Sequence, residues 1–324
     1  MQDGAAIDGL DIEGSEEGSG ESPGAESRKR PRGALALDIV ARWRAAGASG
    51  LVFLSAGDEQ AEYLGANIHS LFPDCPVLVF PRWDSLPYDP AGPSRDIMGR
   101  RASVLRRLAG GLERPLLIAT PEAVLQRVPP RTPRRDAALR IVPGQTSVAE
   151  IEAFLRRTGY GLDMLVDEPG EAAVHGHVVD VFPAGALGPV RIEHADGRVA
   201  RIDSYDPATQ RTVASLPEIV LDAASEFMMP EVSGDAEAGN PDAPAAPFLS
   251  SHYAKLDTLF DYLQGAPVLI EDRSVERRAA VWFEQIREAH EGARILPLAG
   301  ETGGAAPAPE RLFLSEAEWD AVRW

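Results

Sequence analysis

Four groups of residues have types and spacings that could do chemistry. The first is Leu54-Ser55-Ala56-Gly57-Asp58-Glu59, an apolar run ending in a turn and then two acids. In an α/β chain, the turn after the first strand is where backbone N–H groups hold a phosphate. Such a loop needs several glycines for close backbone approach and a lysine for the terminal phosphates. This turn has one glycine, and the chain's two lysines, Lys29 and Lys255, follow no such loop. A nucleotide-binding loop is therefore excluded, and Asp58 and Glu59 read as acids that stabilise a helix start.

The second group is histidine. His175 and His177 are two apart and would share a face of one strand, with His194 opposite across a hairpin. Three imidazoles could hold a transition metal, yet no carboxylate or thiol stands at a fitting spacing, so no metal is expected. The third group is a band of arginine. Eleven arginines and four acids lie between Arg95 and Arg140, inside an otherwise acidic chain. Arg100, Arg101, Arg106 and Arg107 are placed on the outer face of a helix, as a basic surface for DNA phosphates or an acidic protein. The competing reading is a solvated face answering the chain's own acids. The fourth is Val190-Arg191-Ile192-Glu193, where alternation turns Arg191 outward as a fork for a partner's carboxylate. No Gly-x-Ser-x-Gly elbow occurs, so nucleophilic hydrolysis has no signal either.

The elements that must position these residues alternate at first. Leu51–Leu54, Pro76–Phe80 and Leu116–Ala119 read as strands buried on both faces. Asp58–Phe72 and Asp96–Ala109 read as amphipathic helices between them, and Pro121 opens a short helix. That order implies a parallel sheet. After about Arg140 the pattern changes. Ser147–Arg157 reads as a helix with a Ser147/Glu150 capping box. Strands follow at 174–182, 190–194, 198–204 and 218–221, with Asp196-Gly197 as a hairpin turn. Residues 230–247, rich in Ala, Pro, Gly and Asp, read as a flexible loop. Helices at 255–263 and 275–290 and strands at 268–270, near Ile295 and near Leu312 complete the chain. The expected fold is α/β: a parallel-sheet domain with an inserted small α+β domain carrying antiparallel hairpins. The ranges are a disordered tail over 1–33, the first α/β part over 34–140, the insertion over 141–224, a linker over 225–250 and the second α/β part over 251–324.

Composition sets the limits. The 324 residues carry a formal net charge of -18, which disfavours a general nucleic-acid coat because phosphate repels an acidic surface. Cys75 is the single cysteine, so an intrachain disulfide and a four-cysteine zinc site are excluded. No apolar run approaches a membrane span, and the N-terminus is acidic and glycine-rich rather than basic then apolar. A cytoplasmic protein is expected.

Ordered motifs then point to a family. Val79-Phe80-Pro81-Arg82-Trp83-Asp84-Ser85-Leu86-Pro87-Tyr88-Asp89, Pro93-Ser94-Arg95-Asp96-Ile97, Ala119-Thr120-Pro121-Glu122-Ala123-Val124 and Asp206-Pro207-Ala208-Thr209-Gln210-Arg211-Thr212 are four of them. Together with Val179–Pro183, Leu256–Leu263 and Glu310–Trp319, they resemble the N-terminal, UvrB-like module of the bacterial transcription-repair coupling factors. The resemblance runs from Ala34 to the end. It implies two α/β domains with a small domain inserted between them, a lost nucleotide site, and recruitment of the excision-repair protein UvrA by the insertion. It implies no catalytic residue and no cofactor in this chain. The family's ATP-driven DNA translocase and its RNA-polymerase-binding domain lie further along a longer chain, so a truncated or stand-alone module is expected. Contact with RNA polymerase and DNA is expected only through those further regions. The family's UvrA-facing surface uses an arginine before Gly176, an arginine at Arg191 and an aromatic four residues later. This chain has His175, Arg191 and Ala195 there, so weakened UvrA binding is expected. The alternatives are the N-terminal part of an ATP-dependent DNA translocase whose motor lies elsewhere, and a DNA- or metal-binding regulator.

Overall fold

The structure is a computed structural model that describes residues 32–131, 137–227, 248–295 and 306–323. The expected tail up to Pro31 and the loop at 230–247 lie outside the described residues. Residues 32–323 include a four-stranded parallel sheet in the order β12-β1-β3-β2, built from β1 (Leu51–Leu54), β2 (Val77–Phe80), β3 (Leu116–Ala119) and β12 (Val268–Glu271). The central strands β1 and β3 are apolar and buried at every position because both faces are covered, while the edge strand β12 ends on the charged Glu271. Leu51, Phe53, Leu116 and Ile118 pack with α1 (Arg32–Ala45) and α2 (Asp58–Leu71) on one face. Val52, Leu54, Leu117 and Ala119 pack on the other with α3 (Arg95–Ala109), α4 (Pro121–Leu125), α6 (Leu249–His252) and α7 (Val275–Ile295).

The rest of the chain between β3 and β12 forms two further sheets. β4 (Ala138–Ile141) pairs antiparallel with β11 (Ile219–Asp222), so the way into the insertion runs beside the way out. Within it, α5 (Val148–Arg157) starts at the expected capping box, Ser147 with Glu150. Its Ile151, Phe154 and Leu155 cover the inner face of a six-stranded sheet in the order β10-β9-β8-β7-β6-β5. Those strands are β5 (Gly161–Leu162), β6 (Glu171–His175), β7 (Val178–Val181), β8 (Val190–Ala195), β9 (Arg198–Tyr205) and β10 (Thr212–Ser215).

Four expectations about elements are corrected. The strand expected at 174–182 is two antiparallel strands, β6 and β7, because Gly176 turns the chain at φ 52°. Residues 255–263 form only a short 3-10 turn, Leu259–Tyr262, capped by Thr258 and Asp261. The chain near Ile295 is the end of α7, and the strand expected near Leu312 is reduced to a single antiparallel bridge, Phe313 with Gln126, before α8 (Glu316–Arg323). Ser225 and Glu226, expected at the start of a linker, are buried.

Glu226 is buried because Arg101 meets it. Both side chains are 0% exposed, and Arg101 Nε donates to Glu226 Oε2 at 2.8 Å. Arg101 Nη1 donates to the Pro81 carbonyl at 2.8 Å, and the guanidinium lies 4.2 Å from the Phe80 ring centre. Trp83 Nε1 donates to the same Glu226 oxygen at 2.6 Å. The outward basic face is thus corrected at Arg101, which points into the core between α3 and the exit from the insertion. Removing one member of such a pair leaves an uncompensated buried charge. Arg101→Ala is expected to lower unfolding free energy by about 3–5 kcal/mol, and Arg107→Ala, an exposed position on the same helix, by under about 1 kcal/mol. Equal urea midpoints for the two variants would remove Arg101 as the anchor.

Candidate partner-binding face

The outer face of the six-stranded sheet carries the arginine that the sequence singled out. The β8–β9 hairpin turns at Asp196 and Gly197, with φ of 50° and 74°, the left-handed pair that Asp-Gly favours. The register this sets places Arg191 opposite Asp203 on one side, and the β7–β8 pairing places it opposite Asp180 on the other. Arg191 Nε and Nη2 donate to the two Asp180 oxygens at 2.8 and 2.7 Å, a bidentate fork. Nη2 also donates to Gln210 Oε1 at 3.1 Å, and the guanidinium lies 4.7 Å from the Tyr205 ring centre. Asp203 takes Arg201 instead.

Local chemistry explains the cradle. Asp206 accepts from Thr209 N and Oγ1 at 2.8 and 3.0 Å, and Gln210 N donates to the Asp206 carbonyl at 2.8 Å. This turn holds Gln210 at φ 58° and aims its amide at Arg191. The Asp180 hydrogen bonds raise the Arg191 pKa further, so the guanidinium stays charged. Burial, and then the Asp180 charge, push the Tyr205 phenol up to about 12, so the ring under the guanidinium stays neutral. Arg191 remains one-third exposed, charged and fixed in place. A guanidinium held in this way loses little freedom when a carboxylate meets its open edge.

The other expected residues fall as follows. His175 shares the outer face one row along, opposite Val178, whose β8 neighbour is Glu193, and its Nε2 lies 3.1 Å from the Met164 carbonyl. Ala195 is exposed at the end of β8, beside Arg198. His177 sits in the turn after His175, with its ring 5.9 Å from that of His194. Because His177 lies in the turn after β6 rather than on the strand with His175, the three histidines do not share one strand face. Among the described residues no group of three His, Cys, Asp or Glu could hold a metal ion.

The arginine band is largely engaged within the chain. Arg100 pairs with Glu62, Arg101 with Glu226 and Arg106 with Asp222. Arg107 alone of the four is mostly exposed. Three of the four cations expected to form a basic surface have carboxylate partners of this chain. The first strand-end turn is likewise closed from within. Gln60 Oε1 accepts from Ala56 N at 2.9 Å and from Ser55 Oγ at 2.8 Å. Asp58 pairs with Arg82 at 2.8 Å, and Arg278 pairs with Glu122 beside Gly57. Sequence reasoning missed Asp180, Tyr205, Gln210 and Glu226. Only Gln210 had a local signal, in the Asp206–Thr212 turn.

Comparison with known proteins places this face in a family. Residues 139–227 match the UvrB interaction domain. Similar curated proteins are transcription-repair-coupling factors. That of Escherichia coli is 32% identical over 196 residues, 60% of this chain and 17% of the relative. That of Myxococcus xanthus is 30% identical over 205 residues, 61% and 17%. That of Haemophilus influenzae is 24% identical over 265 residues, 75% and 23%. The chain spans less than a quarter of the length of these relatives. It is related to the coupling factors, and it carries a UvrB interaction domain.

The cradle predicts a coupling. Asp180→Asn keeps the shape of the side chain but removes the charge that fixes Arg191. Asp180→Asn is expected to cost about 1–3 kcal/mol of stability, and to cost far less when Arg191 is already Ala. Additive losses in that double-mutant cycle would show that the two side chains do not act together.

Proposed function

We infer that this chain, bearing a UvrB interaction domain, is a non-catalytic recruiting module of transcription-coupled nucleotide-excision repair. It binds a UvrA-type protein through the outer face of the six-stranded sheet, with Arg191 as the charged anchor. The observation that carries this reading is the preorganised Arg191 fork, standing inside residues 139–227. Chemistry on a nucleotide is assigned elsewhere. The strand-end turn that would take a phosphate is occupied by Gln60, and neither lysine of the chain stands in it. ATP-driven DNA translocation and contact with RNA polymerase, which the family resemblance implies, are assigned to sequence outside these residues. Soluble, cytoplasmic placement suits this role, and no described helix is long and apolar enough to cross a membrane. A DNA- or metal-binding regulator is the weaker reading, since three of the four helix arginines pair with carboxylates of this chain and, among the described residues, no group of three His, Cys, Asp or Glu comes together.

The test is a titration of UvrA from the same genome against three forms of the chain. Arg191→Ala is expected to weaken binding by about ten- to a hundredfold, as for a hot-spot arginine. His175→Arg with Ala195→Phe is expected to bind more tightly than the natural chain, because it adds a fixed charge and an apolar cover. Equal affinities for all three would overturn the reading of this face. Separately, the purified chain with ATP and DNA is expected to release no phosphate. DNA-stimulated hydrolysis that copurifies with the chain would reverse the assignment of the motor.

A further inference from the structure

The outer face holds an apolar feature that the charged residues do not explain. Val166, Ala173 and Phe182 form a small buried cluster there, with Ala186 packed against it. Ala173 is on the outer face, because it pairs directly with Asp180, the residue that holds Arg191. Two loops therefore cross this face to reach the cluster, one delivering Val166 and the other Ala186. Next to these anchors, each loop presents large apolar side chains to solvent. Met164 is 84% exposed and Leu165 58% on the first loop, and Leu187 is 107% exposed on the second. Leu187 and Met164 are the two most exposed large apolar side chains among the described residues. They do not belong to a fraying end: the loops are tied down by Asp163 N to the Ala172 carbonyl at 3.0 Å, by His175 to Met164, and by Ala186 N to the Pro183 carbonyl at 3.0 Å.

We propose that Met164, Leu165 and Leu187 form the apolar half of one partner surface whose charged half is Arg191. The proposal rests on the reading of Arg191 given above and names a further part of the same face. Strands in a sheet lie about 4.8 Å apart, so the cluster strand β6 is about 10 Å from Arg191 on β8, well within one protein footprint. An exposed ion pair is screened by water and salt. Apolar contacts around it exclude water and strengthen it. Ala195 supplies no such cover beside Arg191, and in the proposed surface these three side chains supply it. The occupant is a protein surface of matching chemistry, a carboxylate ringed by apolar side chains, on the UvrA-type partner.

The experiment compares Met164→Ser/Leu165→Ser/Leu187→Ser with Arg191→Ala, in the full chain, by calorimetric titration against UvrA at low and high salt. Thermal unfolding serves as the control for folding, and exposed side chains should leave it unchanged. The triple variant is expected to lose about ten- to a hundredfold in affinity, equally at both salt concentrations. The Arg191→Ala loss should shrink as salt rises. If Arg191→Ala loses binding and the triple variant does not, the apolar half is wrong and the Arg191 reading stands. If neither variant changes binding, the recruiting face itself is misplaced and the proposal goes with it. If the triple substitution changes the chain's own oligomeric state in sedimentation and leaves UvrA affinity intact, the patch is a contact between copies of this chain and the proposal is overturned.

Discussion

The buried Arg101–Glu226 pair is the constraint on which the arrangement of the two parts depends. Two opposite charges out of water are stable only when geometry and further hydrogen bonds compensate their lost hydration. Here the compensation comes from three directions. Phe80 ends β2, Pro81 and Trp83 belong to the loop beyond it, and Glu226 to the chain leaving the insertion. Helix α3 carries the arginine that joins them. The same helix receives the insertion elsewhere through small residues. Gly99 sits where an added Cβ would come within 1.9 Å of Ala184, and Ala102 packs with Ala137 and Ala223 on the entering and leaving segments. One turn further along, Arg106 holds Asp222, whose carbonyl accepts from Tyr160 at 2.8 Å. The helix is a rail against which both connections of the insertion are fixed.

That role was legible in the sequence, though not in residue type. In α3, Arg101 lies four residues after Ile97 and four before Leu105, so the helical period places it on the apolar stripe. Charge argues for the surface, period for the core, and period is correct because a carboxylate waits there. Glu226, 125 residues away, has no local signal, so the pair itself is visible only in three dimensions. Elements that depend on local chemistry were read well: β1, β2 and β3 from their apolar runs, α5 from its capping box, the β8–β9 hairpin from Asp-Gly. Elements that depend on tertiary contact were not. Residues 174–182 look like one strand because Gly176 is a single glycine without the paired turn residues that mark a hairpin. Residues 255–263 have a capping signal at Thr258, but the helix it starts is one turn long.

The candidate face shows the same division. Arg191 was found by alternation along one strand, and its outward placement follows from the strand alone. Its partners come from three other stretches: Asp180 from β7, Tyr205 from β9, Gln210 from the following turn. No spacing within one strand reveals them. They turn an ordinary surface arginine into a fixed one, which matters for binding more than its exposure does. The chain is acidic overall, yet many of its arginines have carboxylate partners within the molecule, so basic density along the sequence overstates the basic area offered to DNA.

The pairing of β4 with β11 has a consequence of its own. Ala138 stands directly across from Asp222, so the 83 residues between them leave and rejoin the flanking α/β part at neighbouring points. To the flanking α/β part, the whole insertion is equivalent to a short surface loop, and the entropy of closing a loop depends on its end separation and only weakly on its length. The insertion can therefore change its sequence, its outer face and its choice of partner while the parent sheet keeps its register. A chain built in this way can exchange one recognition module for another without redesigning the scaffold that carries it.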